Sequence, residues 1–247
     1  FGIIQKKIIS IIFWKFAKKL KPNFYLVGGN NLNKFNLKKT IRINSWDYSN
    51  SLRNKKNIFK NKNYILYISD GESRYQSDSI FYNTKRVENT ESYLKKINLF
   101  FNSVEKKFKK KIIIASHPRG NPNLTFDNRL GKRRIFYGKT CELVKNAKFV
   151  ISLTPTALNY AILYKKPIMI IYSQSEQKKN ISWIKYSSFY SSLLNCSKIN
   201  IDDYKNLEKI NLKKVDLKRY KNFKKNYVYS RYLTPNFKIL GRMLERK

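Results

Sequence analysis

The chain has 247 residues, 42% of them hydrophobic, and a formal net charge of +38 from 53 Lys and Arg against 15 Asp and Glu. That length and apolar content exclude a disordered tail and leave room for one large domain, or one complete α/β unit with pieces of a second. Such a charge ordinarily points to nucleic acid or an anionic membrane. Here, however, the excess is mostly Lys, spread over the whole length and accompanied by Asn, Ile, Tyr and Phe, so it reads as compositional drift or membrane proximity ahead of nucleic acid.

Residues 3–20 place apolar side chains at spacings of three and four among lysines, which predicts a basic amphipathic helix. Such a helix is suited either to an anionic bilayer or to packing on its own domain. Phe24–Val27 with Gly28-Gly29 reads as a strand and turn, and Thr40–Ile43 as a short strand leading into Asn44-Ser45-Trp46-Asp47-Tyr48. Leu52–Lys62, rich in Asn and Lys, reads as a linker.

Beyond the linker the pattern becomes regular. Strands are predicted at Tyr64–Ile68, Ile112–Ala115, Phe149–Leu153 and, as the last of the series, Pro167–Tyr172. Between them lie helices over Val87–Phe108, Thr140–Ala147 with Thr140 as N-cap, and Ala157–Tyr164. Continuous β-branched strands alternating with helices mark a parallel sheet covered on both faces, a Rossmann-like α/β fold. Ligands of such sheets bind beyond the carboxyl ends of the strands. The polar clusters Ser69-Asp70-Gly71-Glu72, Ser116-His117-Pro118-Arg119 and Thr154-Pro155-Thr156-Ala157 all fall there. From about Asp202 onward the expectation is Lys-rich helix with a solvated surface, ending in Phe237–Leu244. The expected organisation is residues 1–60 as the remnant of an N-terminal domain with its linker, 61–200 as the ligand-binding domain, and 201–247 as a basic helical segment.

A single histidine and two cysteines, Cys141 and Cys196, without paired spacing, exclude a zinc centre built from the usual ligands. No metal and no cofactor is expected, and the setting expected is cytoplasmic, with peripheral contact to the inner face of the membrane. No apolar run reaches the roughly 18 to 20 residues of a membrane span. The chain starts at Phe1 without a signal-like cleavage site, and the missing initiator Met suggests a fragment.

The segment from Ile112 to Tyr172 resembles the second domain of bacterial glycosyltransferases that build surface carbohydrate and lipopolysaccharide. The residues that carry the likeness are Ala115–Arg119, the run Tyr137-Gly138-Lys139-Thr140-Cys141-Glu142, and Thr154–Ala161, with Asn44–Tyr48 resembling a junction segment of that family. The His-Pro and Ser/Thr signals are similar to those of bacterial sialyltransferases. The resemblance implies the C-terminal, donor-binding half of a GT-B fold with its N-terminal, acceptor-binding domain largely truncated. It further implies a metal-independent transferase that moves a sugar from a nucleotide-sugar donor, CMP-linked if the sialyltransferase likeness holds, to a growing surface glycan, lipopolysaccharide or other glycolipid acceptor.

Such transfer needs a departing phosphate stabilised and an acceptor hydroxyl deprotonated. His117, held at a strand end by Pro118, can donate to a phosphate oxygen, and Arg119 can add a bidentate contact. Thr154, with Pro155 at the first helical position, and Thr156 and Ala157 fit a phosphate-binding helix start. Lys139 and Thr140 open the preceding helix in the same way, and Glu142 suits either ribose hydroxyls or the helix dipole. For the base, Ser69-Asp70-Gly71 resembles the acidic-acidic-glycine motif of sialyltransferases with Ser in the position of the base, which leaves Asp70, Glu72 and Asp47 as candidates. Two other readings stand beside this one: a nucleotide-sugar epimerase of the same fold, which wants more acidic and histidine groups than this chain offers, and a basic nucleic-acid-binding protein whose lysines contact phosphate.

Overall fold

The structure is a computed structural model and describes residues 25–30, 40–53, 63–69, 89–118, 120–153, 158–177, 181–230 and 232–245. Strands β1 (Tyr25–Gly28) and β2 (Thr40–Ile43) form a parallel pair, followed by helix α1 (Trp46–Arg53). The larger sheet contains β3 (Tyr64–Ile68), β4 (Lys111–Ala115), β5 (Ile135–Phe136), β6 (Val150–Ser152), β7 (Ile168–Tyr172) and β8 (Ser197–Asn200). Its spatial order is β5-β4-β3-β6-β7-β8 and every pairing is parallel. Counted within this sheet the order is 3-2-1-4-5-6, the winding of a Rossmann fold, in which the chain reverses direction between its first and fourth strands. The predicted α/β class with a parallel sheet and flanking helices is what the chain adopts.

Period-2 alternation divides the strands between two cores. Ile65, Tyr67, Ile112, Ile114, Ile151 and Met169 face one side, where α2 (Thr90–Phe108) lays down Tyr93, Ile97, Phe100, Phe101 and Val104. Tyr64, Leu66, Ile68, Val150, Ile168 and Ile170 face the other, covered by α3 (Thr140–Asn146), α4 (Leu158–Leu163), the end of α5 (Ile181–Leu194) and α6 (Leu217–Phe223). Because both faces are buried, the central strands need apolar residues at every position, which is why they stand out in the sequence.

The start of α2 is fixed by Asn89, whose side chain accepts from the backbone N–H groups of Glu91 and Ser92 at 3.0 and 3.2 Å, satisfying donors that the first turn leaves open. It ends at Lys109 in the left-handed region, φ 51°. Buried Arg133 ties the long connection before β5 to this helix through Glu105, Asn98 and Asn102, each at 2.7 Å, with its guanidinium 5.2 Å from the Phe101 ring centroid.

Several expectations are corrected. Pro167–Tyr172 is not the last strand: α5 and β8 follow it. The burial of β8 alternates, with Ser197 and Ile199 inside and Lys198 and Asn200 partly exposed, as suits an edge strand. β5 lies between Arg119 and Thr140, where no strand was expected, its two residues being too short for a periodic signal. The start of the expected 52–62 linker, Leu52 and Arg53, belongs to α1. The segment after Asp202 is no simple solvated helix: it runs through a 3-10 turn and an extended stretch before α6, and it contributes Ile210, Tyr220, Phe223 and Val228 to the core.

The chain after α6 continues as a π-helical turn, Lys224–Val228, and ends in α7 (Asn236–Leu244) after returning to the N-terminal strands. Asn44, 1% exposed, closes this return. Its backbone exchanges bonds with the Asn236 side chain, 2.9 Å each way; its Nδ2 donates to Thr234 O at 2.8 Å; its Oδ1 accepts from Ser230 N at 2.9 Å. A buried amide with all its groups paired fixes one register for this closure.

Candidate functional site

At the point where the strand order reverses, β3 and β6 lie side by side, paired to their last residues Ile68 and Ser152, and sheets of this winding open a crevice beyond such a point. Ser69 and Leu153 are the last described residues there, and the Ser152 hydroxyl donates to Ile68 O at 3.5 Å across the pair. Two predicted site segments leave the sheet from this crevice. Their residues Asp70 and Glu72, and Thr154, Thr156 and Ala157, lie outside the described residues, so the expected cap at Thr154 lies there too.

The neighbouring strand β4 delivers His117. Ser116 N–H donates to Phe136 O at 2.8 Å, keeping the chain paired one residue past the strand, and Gly120 N–H closes a tight turn on His117 O at 2.8 Å. A Cβ on Gly120 would press on the Ser116 hydroxyl and lie 3.0 Å from His117 O, so a side chain there would have to displace Ser116 Oγ and fits tightly against the turn. His117 is half-buried and Pro118 exposed, and the Pro118 carbonyl accepts from Tyr137 OH at 2.6 Å, which joins the loops after β4 and β5. Arg119 lies outside the described residues.

After β5 the chain turns through Gly138, φ 66°, into α3. The cap position is Lys139, not Thr140, and no side chain bonds to the first turn. Thr140 is instead the first helical residue, while Lys139 is exposed beside it. Glu142 is buried, 5% exposed, and its Oε2 has no hydrogen-bond partner among the described residues. A buried carboxylate oxygen without a donor costs about 1–3 kcal/mol or more, a cost that a ligand bringing hydroxyl donors removes.

Asp47, in the first turn of α1, reaches the same helical layer. Its Oδ2 accepts from Asn159 Nδ2 at 3.0 Å, and Tyr160 also hydrogen-bonds to it; both belong to α4, the helix that starts directly after Ala157. Burial pushes the Asp47 carboxyl above the usual carboxylate range despite these bonds. Burial likewise raises the phenols of Tyr160 and Tyr164 and the thiol of Cys141, which lies 3.3 Å from Tyr164 OH. The structure thus joins Asp47 to α4 and sets Glu142 on α3 beside Cys141, whereas His117 belongs to the next strand end.

A further polar group escaped the sequence reading. Beyond β7, the Ser173 and Ser175 hydroxyls donate to Asp202 Oδ1 at 2.8 and 2.9 Å, and Ser175 N–H to Oδ2 at 2.9 Å. Glu176 accepts from Lys96 at 2.7 Å, Ser92 Oγ at 2.6 Å and Asn89 N at 3.3 Å. The same signal that marked the other strand ends, a polar run directly after an apolar strand, was present here as Ser173-Gln174-Ser175-Glu176-Gln177.

No protein-family model matches the chain, and no curated protein matches its sequence. Solved structures do match. The UDP-GlcNAc 2-epimerase of Methanocaldococcus jannaschii, in complex with UDP-GlcNAc and UDP, is 16% identical with a TM-score of 0.45 over 86% of this chain and 56% of its own. An H444N variant of the wall teichoic acid polymerase TagF is 10% identical with a TM-score of 0.48 over 91% of this chain and 57% of its own. This chain therefore spans little more than half the length of those enzymes. At such identities no residue role passes from them to it.

Proposed function

We propose that this chain is the donor-binding part of a metal-independent GT-B glycosyltransferase that adds a sugar from a nucleotide-sugar donor to a surface glycan or glycolipid. The observation that carries the reading is the reversal of strand order between β3 and β6, whose described ends Ser69 and Leu153 are followed in sequence by Asp70 and Glu72 and by Thr154 to Ala157. Ligands of open α/β sheets bind at such a reversal.

In this reading His117 and Arg119 meet the diphosphate or monophosphate, joined by hydroxyls and backbone N–H groups of Thr154 and Thr156 and by Lys139 and Thr140. The lone Glu142 oxygen takes donors from the ribose hydroxyls. The base comes from Asp70, Glu72 or Asp47. For Asp47 a raised pKa makes a more basic carboxylate, the right direction for accepting a hydroxyl proton. A likeness to sialyltransferases favours a CMP-linked donor, and the acceptor would be engaged by a region beyond the donor half.

Calorimetry with CMP, UDP and GDP and their sugars tests the donor site. One nucleotide should bind, and His117→Ala and Thr156→Ala should each weaken it at least tenfold. Indifference to all nucleotides, together with tight binding to random DNA that falls steeply with salt, would sink the reading in favour of a nucleic-acid-binding protein. Release of a C2-epimerised sugar nucleotide without any acceptor would replace it with an epimerase.

A further inference from the structure

The outer surface of α5 and α6 carries a second feature, on the face of the helical layer turned away from the sheet. Tyr186 and Phe189 on α5 are 57% and 55% exposed, and Leu217 at the start of α6 is 58% exposed. Single exposed apolar residues are ordinary, but a contiguous cluster is not. Phe189 and Tyr190 ring centroids are 5.3 Å apart, Tyr190 and Phe223 6.4 Å, and Phe223 and Tyr227 5.0 Å, so Phe189, half-buried Tyr190 and Tyr227 make a ridge that rests on the buried ring of Phe223. Tyr186 lies close enough to Tyr190 to act on its ionisation.

The ridge borders a groove of about 410 Å³ whose lining includes Lys218, Arg219, Phe223 and Tyr227. Lys185 precedes Tyr186, and Lys221 and Lys225 are exposed on α6 and its continuation. The one carboxylate that lines the groove, Asp216, is occupied in capping α6: it accepts from Arg219 N at 3.0 Å and lies 3.4 Å from Arg219 Nε. The surface is thus apolar and aromatic at its centre and cationic around it.

We infer that this α5–α6 face is an interfacial docking surface for a bilayer containing anionic lipids. Phenylalanine and tyrosine rings partition to the level of the headgroups. Lysines around them extend apolar stems along that layer while their ammonium groups meet lipid phosphates. Nucleic acid would also meet the charge, but its bases stack on open ring faces held apart from one another. Here the rings pack against each other, Phe189 and Tyr190 nearly perpendicular at 87°, and form a continuous apolar ridge. None of its residues is one assigned to the donor crevice, so it stands whether or not sugar transfer does; the basic helix expected over residues 3–20 lies outside the described residues.

Flotation of the full chain with phosphatidylcholine vesicles, and with vesicles containing one quarter phosphatidylglycerol, tests the inference. The chain should float only with the anionic vesicles. Tyr186→Ser with Phe189→Ser, both exposed and so harmless to folding, should weaken that partition at least tenfold. Lys218→Glu with Lys221→Glu and Lys225→Glu should weaken it still more, since each lysine near an anionic surface is worth roughly fivefold in binding. Melting temperatures of both variants close to the parent's confirm that the fold is intact. The inference is overturned if the parent chain does not float, if the Tyr186/Phe189 variant floats as well as the parent, or if single-stranded DNA binding falls with that variant while vesicle binding does not.

Discussion

Two pairs of carboxylates, each with one buried and one half-buried member, sit in this molecule and are treated in opposite ways. Beyond β7 and β8, Glu176 and Asp202 are surrounded by donors: Lys96, the hydroxyls of Ser92, Ser173 and Ser175, and the backbone N–H groups of Asn89 and Ser175. Burial alone would raise their pKa values, but these bonds outweigh it and hold both carboxyls below the usual range. In the layer of α1, α3 and α4, burial wins over the Asn159 and Tyr160 bonds at Asp47, and Glu142 keeps an oxygen without a partner among the described residues. A fully satisfied network fastens the loop after β7 to α2 and specifies one arrangement. An under-satisfied one costs stability in the free protein, and such sites are where function is found.

The sharpest way to break this contrast is to truncate Glu176. Glu176→Ala leaves Lys96, Ser92 and Asn89 without their acceptor and should lose about 2–4 kcal/mol in urea unfolding; a loss under about 1 kcal/mol would mean that the network contributes little. Asp202→Asn keeps the shape but cannot accept all three bonds from Ser173 and Ser175, and should cost about 1–2 kcal/mol by the same measurement.

The pH dependence separates the groups by sign. Glu176 and Asp202 have folded pKa values below their ordinary 4.5 and 3.8, so their stabilisation is present above those values and lost as the pH falls through the folded ones. Asp47 is raised above 3.8, so its contribution is present below that value and lost as the pH rises through its folded pKa. Glu176→Gln should therefore flatten the acid limb of a stability profile between pH 5 and 2. Asp47→Asn should be neutral or stabilising by up to about 1 kcal/mol at pH 7, because it removes a buried charge; a clear destabilisation would show the charge itself to be needed for holding α1 on α4.

The smallest effect on stability is expected at Glu142. Glu142→Gln should change it by no more than about 0.5 kcal/mol, since no donor is lost at Oε2, yet should weaken nucleotide binding about tenfold in calorimetry. Unchanged affinity would return Glu142 to a purely structural role.

The elements that could be read from the chain are those whose burial is two-sided. Tyr64–Ile68 and Ile168–Tyr172 are apolar at nearly every position because helices cover both faces of the sheet there. β5 and β8 escaped because one is two residues long and the other is an edge strand half open to water, and α5 is broken by five serines that mask its helical spacing. The candidate site was legible to the extent that polar clusters follow apolar strands, which placed Ser69, His117 and Leu153 at the carboxyl ends of β3, β4 and β6. Glu142 and Asp47 were candidates in the sequence, but the burial of Glu142 where α3 and α4 meet, and the pairing of Asp47 with Asn159, distant in the chain, were not legible there.

Hydrophobic periodicity and turn residues are local, so the parallel α/β class and the ends of β3, β4, β6 and β7 follow from the chain alone. The tertiary structure alone decided the order β5-β4-β3-β6-β7-β8 and hence the position of the crevice, and it decided the closure of the C-terminal segment on Asn44 and the choice between satisfied and unsatisfied carboxylates. Each of these depends on which donors and apolar faces meet across long separations in the chain, and local spacing carries no record of that.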